Sequence, residues 1–118
     1  MMVNMTPHEI NVMIDGEIVS FPPSGKVVRV LTSETECGTV EINGVRIPTI
    51  RRSFGGVDNF TELFAAAREN GAIVSAMVLD AMQKNGYDTT GVYAPDTGEN
   101  SVIRNDKGHV VAVRRLIQ

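Results

Sequence analysis

The chain has 118 residues and a mass of 12.8 kDa, the size of one domain spanning residues 1–118. Hydrophobic residues make up 42% and charged residues 21%, which excludes a disordered or fibrous chain. The formal net charge of −3 argues against non-specific nucleic-acid binding, because that binding depends on excess Lys and Arg. The single cysteine, Cys37, excludes an internal disulfide and a zinc site built on cysteines.

No apolar stretch is long enough to cross a membrane, and residues 1–9 carry no signal-peptide pattern. We therefore expect a cytoplasmic protein without a membrane partner.

Two hairpins are predicted in the first half of the chain, because Asp15-Gly16 and Asn43-Gly44 each separate two β-prone runs. These dipeptides favour a type I′ turn, in which both central residues have positive φ. The predicted strands are residues 10–14, 17–21, 39–42 and 45–47.

The segments around the second hairpin are predicted to be less regular. Residues 22–25 end the first hairpin, since proline cannot donate to a sheet ladder. Residues 26–31 are predicted as a mostly buried strand and residues 32–38 as an exposed polar loop. Pro48 is expected at an edge or at the strand end, and residues 51–56 as a basic, glycine-rich exit from the strand.

A first helix is predicted from Phe60, where apolar residues begin to recur at helical spacing. Asp58 or Asn59 is the expected N-cap. Gly71 is the expected left-handed stop.

A second helix is predicted to start after Ser75, a natural N-cap, and to end at Asn85-Gly86. Met77 and Met82 on this helix are expected in the core. Further strands are predicted at residues 72–74, 92–94, 101–104 and 109–117. The pattern indicates an α+β fold with a mainly antiparallel sheet built from hairpins and two short helices in the middle of the chain.

Seven short motifs are spread over nearly the whole chain. In order, they are Asn4-Met5-Thr6-Pro7-His8-Glu9-Ile10, Pro22-Pro23-Ser24-Gly25 with Val28-Arg29-Val30, Val45-Arg46-Ile47-Pro48, Ile73-Val74-Ser75-Ala76, Ala94-Pro95-Asp96-Thr97-Gly98, Val102-Ile103-Arg104-Asn105 and Val111-Ala112-Val113-Arg114-Arg115-Leu116. The order and the amino-acid sequences of these motifs resemble those of a family of small proteins encoded by tailed phages and prophages. The resemblance implies a phage setting but no reaction. It fails at residues 55–71, where this chain carries a helix-like insert, so a pocket formed there need not match the family's.

Several residues outside the predicted core have chemistry suited to an anionic ligand. Ser75 precedes free helix N–H groups that suit a phosphate, although an ordinary N-cap is the simpler explanation. Arg29 and Arg104 are able to bind phosphate through their guanidinium groups, the alternative being a solvated strand face. His8 is able to accept or donate a hydrogen bond, and Asp96 is able to bind a ribose hydroxyl or to form an Asx turn. The predicted ligand-binding residues are His8, Arg29, Ser75, Asp96, Thr97 and Arg104.

The function we expect is that of a phage anti-defence protein that sequesters a nucleotide-derived immune signal of the host without catalysis. It would work in the host cytoplasm as a homo-oligomer, with no metal or cofactor. One alternative is a protein inhibitor of a bacterial defence protein, or a minor structural or assembly protein of the phage. A second is a phosphodiesterase that cleaves the signal with His8 as general base.

Overall fold

The computed structural model describes all 118 residues, with ten strands and two helices, and it confirms the α+β class. The elements are β1 (Val3–Asn4), β2 (Ile10–Ile14), β3 (Glu17–Phe21), β4 (Val30–Ile42), β5 (Val45–Val57), α1 (Phe60–Glu69), β6 (Ala72–Ile73), α2 (Ala76–Lys84), β7 (Val92–Pro95), β8 (Val102–Arg104), β9 (Val110–Val113) and β10 (Leu116–Ile117).

The strands form two four-stranded sheets and one two-stranded ribbon. The first sheet has the order β1-β6-β7-β10, the second has the order β3-β2-β9-β8, and β4 pairs only with β5. Antiparallel hairpins supply most of the pairing, as predicted, but β1, β6 and β7 run parallel to one another. The sequence reading did not anticipate this parallel group, and it determines where the candidate site lies.

The first sheet is covered on both faces. In β6 and the residue after it, Ala72 and Val74 pack into the main core with α1 and α2, whereas Ile73 packs with residues of the second sheet. Successive residues of a strand point to opposite faces, so three residues serve two cores. Leu63 of α1 and Met82 of α2 are fully buried on the helix side.

Both predicted type I′ hairpins are confirmed. Asp15 and Asn43 have φ of 51° and 52°, and the glycine after each also has positive φ. Asx-Gly pairs tolerate this backbone region, so these two turns set the register of β2 with β3 and of β4 with β5.

The prediction for residues 26–57 is wrong in several places. Residues 26–29 are not a strand, and of residues 26–31 only Val28 is buried. The predicted loop at 32–38 lies within β4, and the predicted exit at 51–56 lies within β5. These polar residues have little strand preference of their own, but pairing of their side chains across the two strands stabilises the ladder. The 2.8 Å ion pair between Glu34 and Arg52 is one example.

The last predicted strand, residues 109–117, is in fact broken between β9 and β10. The Ser101 hydroxyl accepts hydrogen bonds from the backbone N–H groups of Arg114 (3.1 Å) and Arg115 (3.0 Å). Those two residues therefore leave the ladder, and the chain passes from the second sheet to the first.

The cap prediction for α1 is correct in position and wrong in chemistry. Asn59 is the N-cap residue, but it has φ of 52° and makes no side-chain cap bond. Its Nδ2 donates instead to the carbonyl of Val27 at 2.9 Å, while Asp58 Oδ1 accepts from the backbone N–H of Arg29. Both side chains thus fix the segment before β4 rather than the helix.

Candidate functional site

A cavity of about 550 Å³ opens at the carboxyl ends of the three parallel strands. Its walls come from the residues that follow β1, β6 and β7, together with the segment that leads into β4. Parallel strands bring their carboxyl ends to one edge, and ligand sites of sheets with helical cover commonly lie at such an edge. This topology explains why residues far apart in sequence meet here.

The wall after β1 is shaped by a buried asparagine. Asn4 donates from Nδ2 to the carbonyls of His8 and Phe21, each at 2.8 Å, and its Oδ1 accepts from the N–H and the hydroxyl of Thr6. The buried amide is therefore fully hydrogen-bonded. This network folds the Thr6-Pro7-His8 turn so that all three of its residues line the cavity.

Arg29 is the one arginine that lines the cavity, and it is exposed. Its backbone is held by the 2.6 Å bond from its N–H to Asp58 Oδ1, while its guanidinium takes part in none of the four ion pairs of the chain. No Asp or Glu is among the lining residues, although the chain as a whole is acidic. The lining therefore favours an anion.

Ser75 joins β6 to α2 at the cavity wall. Its backbone is extended, with φ of −69° and ψ of 156°, and its hydroxyl accepts from the N–H of Val78 at 3.2 Å. The predicted N-cap is confirmed. By helix geometry the N–H groups of Ala76 and Met77 have no acceptor within α2, and both residues line the cavity.

Thr97 lines the cavity after β7, but its predicted companion Asp96 does not. Asp96 Oδ1 accepts from the N–H of Gly98 at 2.9 Å, and its Oδ2 forms an ion pair with Arg115 at 2.7 Å. The Gly98 hydrogen bond and the Arg115 guanidinium together lower the pKa of Asp96 below its ordinary value. Asp96 thus forms the Asx turn, which was the alternative interpretation of this residue.

Arg104 also lies outside the cavity lining. Its guanidinium donates to the carbonyl of Gly108 at 2.8 Å and to Glu99 at 3.2 Å, and it is exposed. The Gly108 contact stabilises the turn between β8 and β9, and the Glu99 contact ties β8 to the turn that precedes it. The cavity therefore brings together four of the six predicted residues: His8, Arg29, Ser75 and Thr97.

The sequence reading missed the apolar part of the site. Val28, Val30, Met77 and Pro95 line the cavity alongside the polar residues. Met77 was expected in the core but is 61% exposed, in contrast to the fully buried Met82. An available signal was the position of Met77 in the first turn of α2, next to the Ser75 N-cap.

No group of three or more His, Cys, Asp or Glu residues is placed to hold a metal ion. Neither helix has the length and apolar character to span a bilayer. No protein-family profile, curated protein or solved structure gives a match to this chain.

Proposed function

We propose that this protein binds a small, anionic, nucleotide-like ligand in the cavity and sequesters it without chemical change. In this proposal it is a phage-encoded anti-defence protein that removes an immune signal in the cytoplasm of the bacterial host. The single observation that carries the proposal is the meeting of His8, Arg29, Ser75 and Thr97 around one cavity. Separate folding needs do not require these four residues to converge.

The polar side of the cavity suits a phosphate. The Arg29 guanidinium is free to form charge-assisted hydrogen bonds, and the free N–H groups at the start of α2 add the positive end of the helix dipole. His8 adds an imidazole side chain that is able to donate or accept a hydrogen bond.

The apolar side suits the ring or sugar face of the same ligand. Aliphatic and proline side chains, including Val28, Met77 and Pro95, supply surface for dispersion contacts. The volume of about 550 Å³ falls within the range of roughly 300–1,000 Å³ that is typical of small-molecule sites.

Sequestration rather than cleavage is favoured by the surroundings of His8. Both hydrogen-bond contacts to its carbonyl come from the turn, whereas no side chain orients its imidazole. A general base usually has a partner that fixes its tautomer and direction. The proposal includes a homo-oligomer. Aliphatic side chains are exposed on the ribbon formed by β4 and β5, and such surface is typical of a protein contact site.

The test is titration calorimetry of the purified protein with isomers of cyclic ADP-ribose and with cyclic di- and oligonucleotides. We expect one of them to bind and to be released intact on heat denaturation, as judged by chromatography. Fragments in the released material would identify a phosphodiesterase instead. Absence of binding across the panel would refute the proposal.

Arg29→Met removes the charge of the cavity and keeps most of the side-chain length. We expect it to weaken binding about 10- to 100-fold, the range for loss of hydrogen bonds to a charged group. The matched control is Arg104→Met, which removes a guanidinium group that lies outside the cavity. Equal losses in the two variants would contradict the assignment of the site.

A further inference from the structure

The ribbon of β4 and β5 projects from the rest of the molecule. Each strand has 13 residues, and nearly all of them are exposed. The radius of gyration is 17.7 Å, against about 13.5 Å for a compact chain of this length. An isolated two-stranded ribbon is only marginally stable in water, so this one needs support from outside itself.

The distal end of the ribbon has one aliphatic face, which we term the tip face. Val40 pairs with Ile47 and Ile42 pairs with Val45, so all four side chains lie on the same side. They are between 40% and 60% exposed. Contiguous aliphatic surface of this kind on a projecting element marks a contact site for protein.

The opposite side of the same end is polar. Glu41 pairs with Arg46 there, and Thr39 pairs with Pro48. Pro48 has no N–H, so it interrupts the outer edge of β5 and disfavours the addition of another strand. The tip face, rather than the strand edge, is therefore the surface that a partner would cover.

The charge of the ribbon is compatible with a second copy of this chain as the partner. Its three acidic and three basic residues balance, so the net charge of −3 resides on the remainder of the chain. The balanced residues are Glu34, Glu36, Glu41, Arg46, Arg51 and Arg52. A neutral aliphatic surface is not repelled by the acidic body of a second copy of this chain, and it offers no charge attraction to a polyelectrolyte.

The area available selects the arrangement. At about 3.3 Å per residue and two strands about 4.8 Å apart, one ribbon face measures roughly 43 by 10 Å, or about 430 Å². Stacking two ribbons buries that area once per copy, about half of the roughly 800 Å² per partner found in stable complexes. An antiparallel pair in which each tip also rests on the body of the other copy buries further surface at both ends, which brings the area closer to that of a stable complex.

We propose that the protein forms a two-fold dimer in which the two ribbons lie antiparallel and the tip of each rests on the body of the other copy. A two-fold axis through the middle of the antiparallel ribbons brings the tip face of one copy to the ribbon base of its partner. The cavity lies at that base, because Val30 belongs both to β4 and to the cavity lining. The tip face of each copy thus covers exposed apolar surface at the cavity rim, including Met77, in the other.

The test is light scattering after size-exclusion chromatography of the unliganded protein. We expect a dimer of the 12.8 kDa chain at micromolar concentration. The double variant Ile42→Thr/Val45→Thr keeps β-branched residues on the tip face but makes it polar. It should raise the dissociation constant at least about 100-fold, since each dimer loses four aliphatic contacts.

The matched control is Glu41→Thr/Arg46→Thr on the opposite side of the same end, which should remain a dimer. A monomeric wild-type protein, or dissociation by the control but not by the tip-face variant, would overturn the proposal. Because the light-scattering experiment contains no ligand, its result does not depend on whether the proposed function is correct. A dimer that binds no nucleotide refutes that function and leaves this inference standing.

The direction of the ribbons is tested by cross-linking with a short bis-maleimide in a Cys37→Ser background. We expect copies with Glu41→Cys at the tip to cross-link to copies with Lys26→Cys near the ribbon base. Tip-to-tip cross-links alone would show parallel ribbons and would overturn the two-fold arrangement.

Discussion

Asp96 illustrates how a residue with plausible binding chemistry is committed to the fold. Its carboxylate accepts the N–H of Gly98 and pairs with Arg115, which joins the turn after β7 to the residue before β10. The Asx turn was readable from Pro95-Asp96-Thr97-Gly98 alone. The ion pair was not, because Arg115 is 19 residues away and reaches Asp96 only through the break between β9 and β10.

Asp96→Asn should remove a pH-dependent part of the stability. The lowered pKa means that the folded state favours the ionised carboxylate, so the stabilisation is present above the unfolded pKa of about 3.9. It is lost as the pH falls through the folded pKa. In thermal melts, the wild-type midpoint should exceed that of Asp96→Asn at pH 6, and the difference should shrink as the pH is lowered through the folded pKa. A difference that stays constant with pH would contradict this assignment.

Asn4 shows the limit of local reasoning at the same scale. Three of its hydrogen bonds join it to Thr6 and His8 nearby, but the fourth partner of its amide, the carbonyl of Phe21, lies 17 residues away. Nothing in the residues near Asn4 indicates that bond, because it exists only once the fold brings the end of β3 to β1.

At the scale of elements, the start of α2 combines a structural and a proposed binding role in Ser75. Ser75→Ala should lower the free energy of unfolding by about 1 kcal/mol through loss of the cap. Ser75→Asp should retain the cap, since the two residues are nearly equivalent at this position. It places a negative charge at the cavity, however, and should weaken binding of an anionic ligand at least tenfold.

The two Ser75 variants separate the roles by chemical denaturation and calorimetry on the same samples. If Ser75→Asp binds the ligand as the wild type does, the start of α2 takes no part in anion recognition. Such a result would leave Ser75 as an N-cap alone.

The hairpins and the second helix were predictable, because Asp15-Gly16, Asn43-Gly44 and Ser75 each carry a backbone requirement within a few residues. The length of the ribbon was not. Residues 32–38 are polar and carry no strong strand signal alone, and their structure comes from partners across the ladder such as Glu34 and Arg52. A strand that is stabilised by a partner far along the chain cannot be predicted from the local sequence pattern.

For the whole molecule, the two cores are joined through β6, because Ala72 and Val74 belong to one core and Ile73 to the other. We predict a single cooperative unfolding transition. Ile73→Ala should destabilise it by about 2–5 kcal/mol, the range for truncating a fully buried aliphatic side chain. Hydrogen exchange should report equal losses of protection in α2 and in β2. Loss confined to β2 would indicate two independently stable units.

The position of the cavity is also a property of the whole molecule. The sequence supplied the identities of His8, Arg29, Ser75 and Thr97, yet it gave no reason for them to meet. That reason is the parallel alignment of β1, β6 and β7, two of which are only two residues long. Pairs this short leave almost no periodic pattern in the chain.

The turn after β1 leaves position 8 free to vary. Asn4 and Thr6 bind His8 only through its backbone carbonyl and N–H, which every amino acid except proline possesses, while the imidazole forms no hydrogen bond. Folding therefore constrains the backbone at this position and not the side chain. A chain of this kind is able to exchange the side chain at the mouth of its cavity, and with it the chemistry of that wall, without rebuilding the scaffold that presents it.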